Sequence, residues 1–144
     1  MLDKKPGIYG FFGTNRWLSN FGQGPAVHDG IVYPKSENAF QAAKTLDLEQ
    51  RKQFLTCTAK EAKHLGYKVD LRPDWEEVKV YIMGAILLDK FTRNLGLKKK
   101  LLATEDLYLE ETNSWQDTFW GVCNNKGKNN LGKLLMIIRE RISL

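Results

Sequence analysis

The chain has few of the residues that build metal centres and disulfide frameworks. It contains two cysteines, Cys57 and Cys123, and two histidines, His28 and His64. None of these residues shows the short ligand spacing of a zinc site, so we expect no bound metal. Two cysteines so far apart, without a Cys-x-x-Cys partner, are expected to be reduced thiols.

Long apolar runs are also absent from the sequence. No stretch approaches the roughly 20 apolar residues that a membrane-spanning helix needs, so we expect no membrane partner. The segment Met1–Pro6 lacks the apolar region of a secretory signal, which predicts a cytoplasmic protein. Repeats and linker-like stretches are missing as well, and we expect residues 1–144 to form a single domain.

Aromatic residues and positive charge are both present. Four Trp, five Tyr and seven Phe can supply a core and also flat surfaces for a ring-shaped ligand. The formal net charge of +5 suits a phosphate-bearing ligand or nucleic acid. The basic run Lys98–Lys100 adjoins two leucines, and such a run is more typical of an exposed helix face than of a DNA-binding stripe.

Periodicity predicts an α+β fold, mostly helical, with a small, mainly antiparallel sheet. Strands are expected at 8–12, 26–27, 31–33 and 107–110, and the Asp-Gly pair before residue 31 predicts a hairpin. Helices are expected at 36–46, 48–55, 59–66, 75–92, 97–103 and 129–142. The N-cap of the first helix is expected to be Ser36, and capping boxes are expected at Thr58 with Glu61 and at Asp74 with Glu77.

The first helix carries the most informative pattern. Glu37, Gln41 and Lys44 are spaced four and three residues apart, so they share one helix face, with Phe40 beside them. A carboxylate near C1 of a sugar, an amide on a hydroxyl and an amine as proton donor or nucleophile would suit a sugar ring. A solvated helix face with a charge on each turn explains the same pattern, and taken alone that explanation is favoured.

Two loops combine aromatic and polar residues. In the first, Trp17 or Phe21 can stack on a base while Asn20 holds a ribose hydroxyl, although both aromatics could instead fill the core. In the second, Asp117 comes three residues before a Trp-Gly turn, and Gly121 permits a sharp backbone close to a ligand. Asp117 could equally serve to cap that turn.

The segment 126–132 joins a glycine-containing loop to the last helix. Free backbone amides at a helix N-terminus favour an anion, which makes Lys128 and Asn129 candidate phosphate contacts. An ordinary capped helix with solvated lysines explains this segment equally well. Trp75, which opens the longest helix, can belong to the core or form an aromatic wall.

The order of these motifs resembles the NADAR family. The resemblance covers nearly the whole chain, and its motifs vary in residue type. They are Leu18–Phe21, Gly30–Tyr33, Ser36–Lys44, Ala62–Gly66, Leu71–Lys79, Lys90–Phe91, Leu101–Thr104, Trp120–Gly121 and Gly127–Met136.

The resemblance implies an N-glycosidase without a cofactor, which hydrolyses the bond between ribose C1 and a nitrogen. Substrates in the family are ribosylamino-pyrimidine phosphates of riboflavin biosynthesis and, in other branches, ADP-ribose attached to guanine in nucleic acid. By position, Glu37 matches the family's essential glutamate, Lys44 its lysine and Asp117 the aspartate before the Trp-Gly, and we expect these three residues to be catalytic. We expect substrate contacts from Arg16, Asn20, Phe21, Gln41, Trp75, Trp120, Gly121, Lys128 and Asn129.

Two of the catalytic candidates have specific expectations. The position of Glu37 in the first helical turn should favour its ionised form through the helix dipole. Lys44 is either an ammonium that binds the ring oxygen or a phosphate, or an amine that forms a Schiff base with the opened sugar.

The chain departs from the family pattern at three places, which leaves the substrate open. Asn38 stands where the family often has His, Tyr67 follows Gly66 where Arg is common, and Val122–Asn124 replaces acidic, glycine-rich residues. The first expectation is a small ribosyl substrate from riboflavin biosynthesis. The alternatives are removal of ADP-ribose from guanine in DNA and a non-catalytic module that binds an ADP-ribose-like nucleotide.

Overall fold

The computed structural model describes residues 4–144, and within this range the predicted α+β class is confirmed. The strands are β1 (Gly7–Tyr9), β2 (Ala26–His28), β3 (Ile31–Tyr33), β4 (Tyr108–Glu110), β5 (Thr112–Asn113) and β6 (Val122–Cys123). The helices are α1 (Ser36–Ala42), α2 (Leu48–Lys52), α3 (Ala59–Leu65), α4 (Trp75–Arg93), α5 (Leu95–Ala103) and α6 (Asn130–Ile142). Short 3-10 helices occupy Gly13–Leu18 and Gln53–Leu55. No helix in residues 4–144 combines the length and apolarity needed to cross a bilayer.

The strands form three separate pairs. β2 and β3 pair antiparallel, and their turn has positive φ at Asp29 (48°) and Gly30 (78°), as the predicted hairpin requires. β1 pairs with β4 in parallel, with Ile8 opposite Leu109, and β5 pairs with β6 in parallel. The pairing is thus partly parallel, whereas mainly antiparallel pairing was expected. The alternation of apolar and polar residues within a strand does not indicate the direction of a partner strand a hundred residues away.

Helix α1 lies inside the molecule, and all seven of its residues are buried. It packs against α3, α4 and the β2–β3 hairpin. Buried polar groups need partners, and each polar side chain of α1 makes at least one hydrogen bond, although within residues 4–144 the buried Asn38 Oδ1 and Gln41 Oε1 accept none. The Ser36 hydroxyl donates to Asn20 Oδ1 (2.8 Å), and Asn38 Nδ2 donates to the carbonyls of Phe54 and Cys57 (2.9 Å each). Ser36 therefore begins the helix and does not cap it, contrary to expectation.

The two predicted capping boxes differ in outcome. Thr58 Oγ1 accepts from the Glu61 backbone N–H (3.1 Å) and Glu61 Oε1 accepts from that of Thr58 (2.9 Å), which confirms the box at α3. The prediction for Asp74 with Glu77 is wrong. The Asp74 carboxylate pairs instead with Arg72, whose Nε lies 2.7 Å from Oδ1.

Helix α4 supplies the largest apolar face of the core. Ile82 and Ile86 are buried as the periodicity predicts, together with Met83 and Leu87. Helical spacing of the apolar residues also predicts Tyr81 on the buried face, but Tyr81 is 82% exposed. The buried stripe of α4 is therefore rotated slightly from the one that this spacing predicts.

Lys90 is a charged residue within this apolar face. It is fully buried, and its Nζ donates to the carbonyls of Trp17 (3.1 Å) and Ser19 (3.0 Å). Burial lowers the pKa of Lys90 to about 7, and the positive charge of Lys35 acts in the same direction. Lys90 thus anchors the loop before β2.

The lowered pKa of Lys90 predicts a pH dependence of stability. Its pKa falls from 10.5 to about 7 on folding, so between these pH values the unfolded chain binds more protons than the folded chain. The contribution of Lys90 to the free energy of unfolding therefore rises with pH. We expect the destabilisation caused by Lys90→Met to grow from pH 7 to 10, by at most about 1.4 kcal/mol per pH unit. Urea unfolding of both proteins at several pH values measures this difference in the free energy of unfolding. Lys99→Met, at an exposed site of α5, is the control, and a pH-independent difference for Lys90→Met would contradict the account.

Candidate active site

A cavity of about 1060 Å³ opens beside α1. Its walls come from the loop before β2, from α1, from the end of α3, from the start of α4 and from residues 111–120. Nine of the twelve residues expected at the site line this cavity. They are Arg16, Asn20, Phe21, Glu37, Gln41, Lys44, Trp75, Asp117 and Trp120.

Glu37 presents a buried carboxyl to the cavity from the first turn of α1. Gln41 Nε2 donates to its Oε1 at 2.9 Å. Burial raises the pKa of Glu37, and the Gln41 hydrogen bond and the charges of Lys63 and Lys44 only partly oppose this effect. The pKa is therefore raised by burial, where the position at the helix start led us to expect the ionised form to be favoured, and Glu37 is a stronger proton acceptor than an exposed glutamate.

The end of α3 fixes the partner of Glu37. A Cβ on Gly66 would lie 1.9 Å from Gln41 Oε1 and 2.8 Å from its Cδ, so a side chain at this position would displace the Gln41 amide. The Gln41 amide is therefore confined between Gly66 and the Glu37 carboxyl. This packing gives the carboxyl a defined position on the cavity wall.

Lys44 follows α1 and is half-buried at the cavity. Its Nζ lies 5.4 Å from the ring centroid of Tyr67. Burial lowers the pKa of Lys44, while the negative charge of Glu37 raises it. A lowered pKa enlarges the fraction of neutral amine, the form that can attack a carbonyl.

An aromatic cluster lies beside these charged groups. Phe40 packs against Trp75 and Trp120, with ring centroids 5.0 and 5.4 Å away. Asp117 Oδ1 accepts from the backbone N–H groups of Phe119 (3.2 Å) and Trp120 (2.9 Å). Asp117 thus caps the Trp-Gly turn and also lines the cavity, which combines the two interpretations that the sequence left open.

The loop before β2 has both structural and exposed residues. The Asn20 carbonyl accepts from the Glu37 backbone N–H (3.1 Å), and its side chain accepts from Ser36, so Asn20 positions α1. Phe21 is half-buried and Arg16 is exposed, and both face the cavity. These two residues are accessible to a ligand.

The other three expected residues lie outside the cavity lining. Asn129 is buried, donates to the Leu109 carbonyl (2.9 Å) and accepts from the Glu111 backbone N–H (3.0 Å). A Cβ on Gly121 would lie 2.1 Å from the Glu111 carbonyl, so this glycine allows two chain segments to touch. Lys128 is exposed to solvent. The segment 126–129 therefore supports the cavity wall, and the expected phosphate contacts Lys128 and Asn129 lie outside the cavity lining.

Glu111 also lines the cavity, although it was not among the expected residues. It is 8% exposed, and burial together with the negative charges of Asp117 and Glu37 raises its pKa to about 7. The sequence held one signal for it. In a strand, residues two apart share a face, and Glu111 follows the buried Leu109 by two positions.

The cavity combines both signs of charge. Two further lysines, Lys63 on α3 and Lys79 on α4, line it with Arg16 and Lys44. No sequence pattern distinguished these two lysines from solvated ones on helix faces. Within residues 4–144, no group of three or more His, Cys, Asp or Glu side chains is arranged to hold a metal ion.

A second cavity of about 830 Å³ shares Arg16 and Phe21 with the first. Its other charged side chains are Lys35 and Lys100, and no acidic residue lines it. The Lys100 Nζ lies 6.0 Å from the ring centroid of Trp17. The two cavities therefore adjoin at Arg16 and Phe21, and the charged side chains that line the second are all positive.

Comparison with known proteins identifies the family. The model of the NADAR domain matches residues 7–143. The chain belongs to the NADAR domain family. This confirms the resemblance seen in the motifs.

Relatives of this NADAR protein carry informative names. N-glycosidase YbiA of Escherichia coli (strain K12) is 38% identical over 131 residues, which cover 88% of this chain and 81% of the relative. Riboflavin biosynthesis protein VVA0006 of Vibrio vulnificus (strain YJ016) is 35% identical over 130 residues, covering 88% of this chain and 35% of that protein. The NMR structure of the E. coli protein YbiA superposes with a TM-score of 0.83 at 35% identity, covering 98% of this chain and 88% of that one.

Proposed function

We propose that this NADAR-family protein, an N-glycosidase that hydrolyses N-glycosyl bonds, acts on a ribosylated, phosphate-bearing pyrimidine of riboflavin biosynthesis. The observation that carries the proposal is the buried Glu37 carboxyl, which faces a cavity with an aromatic cluster and several cations. The names of the relatives support both the reaction and this substrate class. They favour an enzyme over a non-catalytic nucleotide-binding module.

The carboxyl of Glu37 suits the central step of the reaction. As the C1–N bond breaks, its electron pair leaves with the nitrogen, and positive charge develops on C1 and the ring oxygen. An ionised Glu37 beside C1 stabilises that charge. It then accepts a proton from the water whose oxygen bonds to C1, because burial has raised its pKa.

The remaining walls suit the other parts of a ribotide. The half-buried ring of Trp120 and the ring of Phe21 can stack on the base. Asp117 orients a ribose hydroxyl through the carboxyl oxygen that does not cap the turn. Arg16 and Lys63 supply positive charge for the phosphate, a role expected of Lys128 from the sequence alone.

Replacing the Glu37 carboxylate tests its role. We expect Glu37→Gln to lower kcat at least ~100-fold with the fold intact, because a preorganised charge beside C1 is lost while the side-chain volume is kept. Release of free base from a ribosylamino-pyrimidine phosphate measures turnover, and thermal unfolding checks the fold. Glu140→Gln, at an exposed site of α6, is the matched control. Near-normal turnover in Glu37→Gln would remove Glu37 from the mechanism.

The role of Lys44 can be tested by chemical trapping. If Lys44 attacks C1 of the opened sugar, borohydride reduction during turnover attaches the sugar to the protein, and we expect peptide mass spectrometry to find it on Lys44. The lowered pKa of Lys44 supports this site. Trapping on either of those lysines would reassign the nucleophile. An unmodified protein would leave Lys44 as an ammonium that binds the ring oxygen or phosphate.

The second cavity favours a second candidate substrate, ADP-ribose attached to guanine in DNA. Its cations Lys35 and Lys100 extend the positive surface beyond the space that a single ribotide fills. Three aromatic residues on the wall of the first cavity, Phe12, Tyr67 and Trp115, are 58–76% exposed, and exposed rings beside cations suit unstacked bases.

Charge removal in the second cavity separates the two substrates. We expect Lys100→Gln to weaken binding of an oligonucleotide that carries ADP-ribosylated guanine and to reduce the slope of log affinity against log salt by about one. Hydrolysis of a small ribotide should be unchanged, because Lys100 does not line the first cavity. Lys99→Gln is the control. Equal affinity and salt slope in both variants would argue against DNA in this cavity.

A further inference from the structure

Glu111 is held rigidly by its backbone, immediately after β4. Its N–H donates to Asn129 Oδ1 (3.0 Å), and its carbonyl accepts from the Val122 N–H (2.9 Å). Gly121 packs directly against the same carbonyl, where a Cβ would lie 2.1 Å away. Contacts on both sides thus fix the main chain and direct the side chain into the cavity.

The Glu111 carboxyl differs from the other two carboxyls of the cavity in its partners. Glu37 accepts a hydrogen bond from Gln41, and Asp117 accepts two from backbone N–H groups. In the part of the chain that the structure describes, the Glu111 carboxyl accepts none. A lack of hydrogen-bond donors and nearby negative charge both favour the protonated form of a carboxyl.

Two of the three charges that act on Glu111 also favour its protonated form. Asp117 and Glu37 raise its pKa beyond the effect of burial, and Lys63 is the cation that opposes them. The resulting pKa of about 7 suits a group that must give up a proton at neutral pH. Glu37, in contrast, is influenced by two cations, Lys63 and Lys44, which both favour its ionised form.

We propose that Glu111 is the catalytic acid that protonates the leaving nitrogen of the base. The assignment rests on the proposed function and names the group that completes it. As the C1–N bond breaks, its electron pair takes the Glu111 proton. Water bonds to C1 and gives its proton to Glu37. One water is consumed, and proton exchange with solvent returns both carboxyls to their starting forms.

Two substrates with different leaving groups test this role. A ribosylamino-pyrimidine phosphate needs a proton on its leaving amine, whereas a pyridinium N-ribotide releases a neutral pyridine without one. We expect Glu111→Gln to lower kcat ~100-fold or more on the first substrate and less than ~3-fold on the second, in the range known for general acids. Glu110→Gln, the neighbouring glutamate outside the cavity lining, should behave as wild type on both.

The pH profile gives a second readout that a structural role would not change. Turnover of the ribosylamine by wild type should fall as pH rises above about 7, since Glu111 then loses its proton, and this limb should vanish in Glu111→Gln. An equal loss of kcat on both substrates, or none on either, would overturn the assignment. Failure of the wild type to hydrolyse either substrate would instead overturn the proposed function, and with it this role.

Discussion

The structure depends on burial of a polar helix. All seven residues of α1 are buried, and Ser36, Glu37, Asn38 and Gln41 all carry polar side chains. An unmatched polar group costs ~1–3 kcal/mol in a protein interior, so the surroundings of α1 must supply specific partners. Asn20 matches the start of the helix and the carbonyls of residues 54 and 57 match Asn38. Glu37 is the member whose main partner, Gln41, comes from the helix itself.

Several distant features become intelligible from this constraint. Lys90, fully buried in α4, holds the loop whose Asn20 carbonyl receives the Glu37 N–H. Gly66 brings the end of α3 onto Gln41. Desolvation raises the pKa values of Glu37 and Glu111 and lowers that of Lys44, so the same burial that requires matched partners also creates groups able to exchange protons.

Much of the local structure could be predicted, because it depends on neighbours in sequence. The hairpin at Asp29 and the capping box at Thr58 are set by contacts within a few residues. Two other features could not be predicted in this way. The parallel pairing of β1 with β4 depends on a tertiary contact, and the capping box expected at Asp74 is lost because Arg72 competes for its carboxylate. In the site, helical spacing brought Glu37, Gln41 and Lys44 together. The residue types of Glu111 and Asn129 did not reveal which of them reaches the cavity, because strand packing decides it.

The central claim is that the Glu37 face of α1 is the C1 end of a ribose site. A crystal structure of the protein with ribose 5-phosphate tests it most directly. The account predicts that C1 lies within about 3.5 Å of a Glu37 carboxyl oxygen or of the water bound to it, with the phosphate toward Arg16 and Lys63. A sugar bound in the cavity with C1 remote from Glu37, or bound outside this cavity, would contradict the account.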